Sequence, residues 1–522
     1  MGEKKKTDGG KEITVLGKIS TFLNSTLFGL IISVIHIAIT FFLLGELLYL
    51  NILPTWVFVV ICFVVLVLCA VSFLMEFAKK KTRIVGKIIS VIMISLSAIG
   101  IFYLGRVNDT LDEITGSNTK VDIVNVYVMK ADTADNIGDA KEYTFGIMGV
   151  LDRVNTDKTI DKIEKQIGNK IDIDEYEGYL QLVEALFEGK VNAIILNEAY
   201  IPMITDDAEY ASFETVTKVL HNESHTTHIE NNNTETLKDN VFTMYLSGID
   251  VTGKISNTSR SDVNIIAVIN TNTRQVLLIN TPRDYYVPLA MNGIPDKLTH
   301  AGIYGIDESM STLEDLYNTE LDYYFRVNFT GFEKVIDALG GIDVDSKYAF
   351  KTTHGGYMIQ RGINTLNGKQ ALGFVRERYN LPNGDNDRGK NQMAVIEAVI
   401  DKATSTAILN DFTTLMEGLS NSFQTSMSST ELTSLVRMQL EEGGSWNIVN
   451  YAVSGKGASM PVYSMSSIPY VTIPDYTTVD IAKKLIKKVE DGEKISDEII
   501  ANLENATKDS SANNISGEGD ER

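Results

Sequence analysis

Three long stretches without a charged residue dominate about the first fifth of this 522-residue chain: 19–45, 47–75 and 88–105. A helix that crosses the hydrocarbon core of a bilayer needs ~20 mostly apolar residues, so each stretch suffices, the third with Lys87 snorkelling at its start. A cleaved signal peptide would explain the first stretch alone, but two more follow at once and no small-residue cleavage pattern is evident. The sequence therefore predicts a tail over 1–18 and three transmembrane helices over 19–106.

Basic flanks set the expected topology. Lys4, Lys5, Lys6 and Lys11 precede the first stretch, and Lys79, Lys80, Lys81 and Arg83 lie between the second and third. Both clusters are expected in the cytoplasm, with a turn at Glu46 facing outward and everything after Arg106 outside the cell. Charge divides in the same place. Residues 1–106 carry 11 Lys/Arg against 5 Asp/Glu, and the remainder carries 36 against 63. An acidic body of that kind is not built to grip duplex DNA, and no helix-turn-helix is evident. The two cysteines, Cys62 and Cys69, both fall in the second apolar stretch. The outer part thus has no thiol for a disulfide, a Cys-ligated zinc or Cys catalysis, a composition that suits a bacterial surface.

The outer part reads as α/β throughout. Strand-like stretches at 123–129, 143–150 and 191–196 alternate with helical faces at 157–167 and 176–187, which predicts a small accessory α/β domain over 107–220. It contains no evident nucleophile, ligand cluster or phosphate loop and reads as a binding or spacer domain. The polar stretch 221–240 is expected to be a linker. Its His221, His225 and His228 stand at helical spacing suited to a metal, but the surrounding Thr and Asn residues are poor helix formers and favour a solvated segment. A larger mixed α/β domain follows over 241–490. Its expected strands lie at 241–247, 263–269, 275–280 and 323–329, and its helices at 309–317, 331–339, 368–375, 389–403 and 478–490. The last carries Lys483, Lys484, Lys487 and Lys488 opposite Ile481, Leu485 and Ile486. That is either a solvated face or a contact with anionic lipid or teichoic acid. Residues 491–522 read as a disordered tail.

Chemistry concentrates at strand ends of the larger domain. Asp250 closes its first strand, Asp262 opens the next within Ser259-Arg260-Ser261-Asp262, and Arg283-Asp284 follow the third. Strand-end residues gather at one sheet edge, where open α/β sheets commonly bind ligands. Two carboxylates brought together there would hold Mg2+ or Mn2+, although aspartates in turns also serve simply as turn formers. A second group runs from Arg376-Glu377-Arg378 through 383–387 to Arg388 and Gln392, which share a helical face at i, i+4. Arginines converging on a helix start suit a pyrophosphate, while the plainer reading is salt bridges to Glu377, Asp385 and Asp387. Lys297 adds one more positive charge.

Gly248-Ile249-Asp250, Ser259-Arg260-Ser261-Asp262, Thr281-Pro282-Arg283-Asp284, Lys297-Leu298-Thr299-His300-Ala301, Val375-Arg376-Glu377-Arg378 and Asp387-Arg388-Gly389-Lys390-Asn391-Gln392, in this order, resemble the LytR-CpsA-Psr family of bacterial cell-wall proteins. The likeness covers 241–405, and the three spans and extra α/β domain are similar to its capsule-associated, streptococcal members. The resemblance implies a phosphotransferase that moves a capsular or other anionic glycopolymer from a polyprenyl pyrophosphate carrier to peptidoglycan, with other capsule assembly proteins as further expected partners. At the matching positions Asp250 and Asp262 would hold Mg2+, or Mn2+. Arg283, Arg376, Arg378, Arg388 and Gln392 would clamp the pyrophosphate, helped by Arg260 and Lys297, with Asp262, Arg283 and Arg376 central to catalysis. The resemblance also implies an apolar cavity for the polyprenyl tail, for which Phe325, Phe329 and Phe332 are candidates besides being ordinary core residues. A lipid pyrophosphate hydrolase and a membrane-bound sensor or scaffold of capsule synthesis remain as alternatives.

Overall fold

A computed structural model describes residues 22–116, 119–228, 240–249, 255, 257–405, 423–465 and 467–517. Asp250 and 229–239 lie outside the described residues. The chain divides into two compact units, one holding 1–109 with 429–443 and the other 110–428 with 444–522.

In the first unit, α1 (Thr26–Leu50), α2 (Thr55–Met75) and α3 (Lys80–Gly116) are each long and apolar enough to cross a membrane. Glu46 lies inside α1, and the expected turn falls instead at 51–54. There Asn51 adopts a left-handed conformation (φ 50°) that closes α1, and Pro54 caps the start of α2. The spacing of charges placed the turn too early because an acidic residue at a helix end need not break the helix. Lys87 does not snorkel freely: its Nζ donates to the carbonyls of Leu23 (3.1 Å) and Ser25 (2.8 Å) and lies 3.8 Å from Glu76 Oε2. Between α1 and α2, His36 reaches Ser72 Oγ (3.3 Å) and Cys69 Sγ (3.4 Å), polar contacts that fix helix packing where apolar side chains give no preference over lipid. The helix α12 (Ser429–Glu442) belongs to this unit. Its Arg437 donates to Asn51 Oδ1 at 2.7 Å, and Glu441 Oε1 accepts the Thr55 N–H at 3.1 Å.

The second unit opens with the accessory domain. Its sheet runs β3-β2-β4-β1-β5, formed by β1 (Thr119–Met129), β2 (Thr144–Met148), β3 (Asp172–Tyr176), β4 (Ala193–Asn197) and β5 (Thr217–His228). Strands β2, β3 and β4 are parallel, and β1 is antiparallel to both its neighbours. Helix α4 (Arg153–Ile167) covers one face through Ile160 and Ile163, and α5 (Tyr179–Phe187) and α6 (Ile201–Thr205) cover the other. Residues 221–228 are therefore an edge strand rather than part of a linker. Polar side chains suit a strand with one wet face, and the pairing to β1 supplies what composition hides. In the strand, His221 bonds Glu223 Oε1 (3.0 Å) and His225 is buried against Thr159 Oγ1 (2.8 Å). At ~3.3 Å per residue the two imidazoles stand roughly 13 Å apart, too far to share a metal.

The larger domain is a three-layer sandwich around a mixed sheet. Its strands are β6 (Val241–Ile249), β7 (Ser261–Asn270), β8 (Gln275–Asn280), β9 (Tyr323–Asn328), β10 (Phe423–Thr425) and β11 (Asn447–Ala452), in the order β10-β9-β6-β7-β8-β11. Both faces are covered, which is why Ile265, Ile266, Ala267 and Val268 run as an unbroken apolar stretch. On one face Tyr245, Ile266 and Leu277 pack with α8 (Ile306–Tyr317) and α13 (Tyr476–Glu490). On the other, Ile265, Ala267 and Leu278 pack with Met393 of α11 (Asp385–Ala403). The helix α7 (Leu298–Tyr304) packs on β7, α9 (Phe329–Ala338) follows β9, and α10 (Gly368–Arg376) packs against α9 and α11. One expectation changes at the C-terminal end. The expected tail includes α14 (Asp497–Gly517), whose Ile500 enters the core together with Ile495 just before the helix, while Leu503, one turn on, packs against it. On α13, Lys483, Lys487 and Lys488 pair with Asp480, Asp491 and Glu493, while Ile481, Leu485 and Ile486 are buried.

Candidate anion-binding site at the sheet edge

Strand order brings several of the predicted residues to one edge of the sheet. Antiparallel β6 and β7 set Ile249 opposite Ser261, β7 and β8 set Ile265 opposite Asn280, and parallel β9 sets Asn328 beside Ile249. The end of β6, the start of β7, the end of β8 and the start of α9 thus share one edge. The Ser259–Ser261 backbone is held tightly there: a Cβ on Gly302 of α7 would lie 2.7 Å from Ser259 O and 2.8 Å from Ser261 N. Beneath it, Tyr245 Oη and Ser247 Oγ bond Ser261 Oγ at 2.9 and 2.8 Å, so the strand start is anchored by buried hydroxyls.

Asp262 is the centre. Both its oxygens accept from Arg283 Nη1, at 2.9 and 2.8 Å, and Oδ1 also accepts from Thr299 Oγ1 at 3.3 Å. Burial pushes its carboxyl up, but Arg283, Arg260 and Arg388 outweigh burial and hold it below the usual carboxylate range. Burial works against the charge of Arg283 too, and Asp262 and Asp284 more than restore it. Lys297 Nζ donates to Asp284 Oδ1 at 3.1 Å. Arg388, in the first turn of α11, pairs with Asp385 Oδ1 at 2.6 Å; burial lowers its pKa. The helix begins four residues before its expected start, so Asp385 and Asp387 belong to it rather than to the preceding turn. Among the described residues the buried Nε atoms of Arg283 and Arg388 have no hydrogen-bond acceptor, the nearest carboxylate to Arg283 Nε being Asp284 Oδ2 at 3.7 Å.

The remaining arginines take different supports. Arg378 stacks on Tyr379, 4.6 Å from the ring centre, and acts electrostatically on Arg388. Arg376 lies 4.1 Å above the Phe329 ring at the start of α9. No direct contact joins Arg376 to Asp262 among the described residues. Gln392 is buried one turn beyond Arg388. Glu377 pairs with neither neighbouring arginine: its carboxylate accepts the N–H groups of Thr353, Arg378 (3.1 Å) and Asn380 (3.0 Å) and the Thr353 hydroxyl (3.1 Å). It is a loop clamp that aims the arginines on either side. Phe325 stacks on Phe423 at 4.4 Å, and Phe332 packs against the cluster around Phe374.

Sequence reasoning missed Thr299, the clamp formed by Glu377, and the buried pair His300 Nδ1 to Asp296 Oδ1 (2.6 Å), whose carboxylate also takes Ser464 N–H (2.9 Å). It also missed Asp206, whose Oδ2 lies 2.6 Å from Arg260 Nη1. The Thr299 and His300 positions stood within a quoted motif; Asp206 carried no sequence signal.

Of the two expected metal ligands only Asp262 lies among the described residues, and its carboxylate is the hard oxygen type that a divalent ion takes. Among the described residues no group of three His, Cys, Asp or Glu gathers, but Mg2+ needs only one or two carboxylates when substrate phosphates complete its shell. Asp262 supplies hard oxygens of that kind.

A mixed α/β sandwich whose sheet edge gathers arginines around buried carboxylates is suited to binding an anion such as a phosphate group. Residues 210–467 match the LytR-CpsA-Psr family model. The polyisoprenyl-teichoic acid–peptidoglycan teichoic acid transferase TagU of Oceanobacillus iheyensis is 36% identical over 208 residues, 38% of this chain and 63% of that protein. TagU of Bacillus subtilis is 28% identical over 254 residues, 48% of this chain and 79% of that one. The chain thus spans under two thirds of the length of the Oceanobacillus relative. The crystal structure of B. subtilis TagV aligns with 48% of this chain and 98% of its own, at 26% identity and a TM-score of 0.42.

Proposed function

We propose that this protein is a membrane-anchored phosphotransferase that attaches a capsular or other anionic glycopolymer from a polyprenyl pyrophosphate carrier to peptidoglycan outside the cell. The convergence of Arg260, Arg283 and Arg388 on ionised Asp262 carries the reading. The family domain and the named activity of the TagU relatives support it. Three apolar helices would hold the site at the membrane that contains the lipid donor.

Phosphoryl transfer needs charge neutralisation and in-line placement more than a protein nucleophile. The acceptor hydroxyl oxygen forms a bond to the phosphorus bearing the glycan, and the bond from that phosphorus to the bridging oxygen breaks. Polyprenyl phosphate leaves, and the hydroxyl proton passes to solvent or to an available carboxylate oxygen. Arg283, Arg388 and Arg378 bind the pyrophosphate oxygens and stabilise their growing charge, while Arg376, held on Phe329, and Gln392 complete the clamp. Lys297 and Arg260 add positive potential at the rim. Asp250 and Asp262 would hold Mg2+ or Mn2+, which supplies further charge neutralisation when bound.

The test uses the full chain in lipid nanodiscs with Mg2+, a short polyprenyl pyrophosphate glycan and peptidoglycan fragments, comparing wild type with Asp262→Ala. Acceptor-dependent transfer lost in the variant supports the proposal. Lipid phosphate release with no glycan on the acceptor would replace it with hydrolysis, and lipid binding without turnover would replace it with a sensor.

A further inference from the structure

We infer that Asp206, in the accessory domain, is a positioning residue for Arg260 in the pyrophosphate site, an inference that rests on the function proposed above. The Arg260 side chain is 8% exposed and donates from Nη1 to Asp206 Oδ2 at 2.6 Å; that of Asp206 is 64% exposed. Burial disfavours the guanidinium charge, and Asp262 and Asp206 together restore it. Arg260 is thus a buried cation shared between the reaction centre and a second domain. Asp206 lies outside the residues 210–467 that match the family, so the accessory domain adds to the site something the family domain does not itself contain.

The contact is not an isolated surface pair, because the accessory domain grips the chain around Arg260. Val121 of β1 forms a parallel bridge with Asn257, and its carbonyl accepts the Thr258 N–H at 3.0 Å, two residues before Arg260. Lys120 Nζ donates to Tyr304 O at 2.9 Å at the end of α7. Ile303 of α7 sits in the accessory hydrophobic core with Tyr200, Ile201 and Ile204, and Tyr463 packs against the same core. The same α7 carries Thr299 onto Asp262 and packs Gly302 against Ser259–Ser261. Backbone, core and ion pair therefore fix Arg260 from the accessory side.

The sign of the effect separates positioning from shielding. If Asp206 only shielded the site, its removal would make the edge more positive and tighten anion binding. If it positions Arg260, removal lets the guanidinium turn toward Asp262, whose charge also acts on it, and withdraws it from the phosphate. Binding then weakens although the site has gained positive charge.

The experiment titrates inorganic pyrophosphate into the full chain in nanodiscs by calorimetry, for wild type, Asp206→Asn, Asp206→Glu, Arg260→Ala and the Asp206→Asn/Arg260→Ala pair. Hydrogen exchange of the 257–262 segment is followed in the same ligand-free proteins. Expected are an affinity loss of about 3-fold or more for Asp206→Asn, recovery with Asp206→Glu, and no added loss when Asp206→Asn joins Arg260→Ala, the signature of coupled residues. Exchange at 257–262 should quicken in Asp206→Asn with little change in melting temperature. Unchanged or tighter binding in Asp206→Asn, or losses that multiply in the double variant, overturns the inference. If wild type binds no pyrophosphate, the proposed function fails by itself, and the exchange data then decide: unchanged protection at 257–262 overturns the positioning role as well.

Discussion

A single guanidinium nitrogen, Nη1 of Arg283, binds both carboxylate oxygens of Asp262, at 2.9 and 2.8 Å. The pair keeps Asp262 ionised and Arg283 in place, so the site stays assembled before any ligand arrives. Substituting Asp262→Asn removes the negative partner but preserves shape. Transfer is expected to fall on the order of 10²-fold or more, as when a transition-state contact is lost. Steady-state transfer assays check this, and a variant within a few-fold of wild type would refute it.

The same arginines make the site acid-tolerant. Because Arg283, Arg260 and Arg388 outweigh burial and depress the folded pKa of Asp262, its contribution to stability is present above its unfolded pKa and lost only as pH falls through the lower folded value. Arg283→Gln should move that loss to higher pH. Melting temperatures of the two proteins across the acid range read the shift, and superimposed profiles would count against it.

Asp152 of the accessory domain behaves oppositely. Burial, reinforced by Asp122, outweighs the bonds from Asn197 and Asn155 and pushes its pKa from 3.8 up to about 6. A raised folded pKa contributes stability below the unfolded value that is lost as pH rises through the folded one. Stability should therefore decline between about pH 4 and 6, with a ceiling of roughly 3 kcal/mol. Asp152→Asn suits the left-handed backbone there (φ 51°) and should flatten the decline. Denaturant melts at stepped pH values measure it.

Glu377 is the clamp between Arg376 and Arg378. Burial raises its pKa, but the N–H groups of Asn380 and Thr353 overcome this and hold it low. Glu377→Gln places an amide among donors, which should cost about 1–3 kcal/mol and raise KM for the lipid pyrophosphate as the arginines lose their aim. A variant that melts and binds like wild type would show the loop to be held otherwise.

Gly302 tests the packing behind Arg260. A methyl group there meets backbone atoms of Ser259 and Ser261, which cannot swing aside like a side chain. Gly302→Ala should destabilise the protein by about 1–3 kcal/mol and reduce transfer further than stability alone explains. Parallel melting and activity measurements distinguish the two losses.

Much of the site was legible because its residues sit in short motifs at strand and helix ends. Arg283 bonds Asp262, and Arg388 acts on it electrostatically, once β6, β7 and β8 pair. The polar 221–228 segment was misread because edge-strand pairing leaves no mark in composition, and the end of α1 because Glu46 looked like a turn. Glu377 looked like an ion-pair partner, since acids beside arginines suggest salt bridges, whereas its actual partners are backbone groups invisible to sequence.

By itself the sequence determined three apolar spans, two α/β domains and the set of charged residues that the sheet edge collects, because hydropathy, periodicity and motif order are local properties of a chain. Only the tertiary structure decided that Arg283 rather than another cation holds Asp262, that Phe329 supports Arg376, and that Asp206 reaches Arg260 from a different domain. Those choices depend on distances between residues far apart in the chain, set by which strands pair and which helices cover them, and no local pattern carries that information.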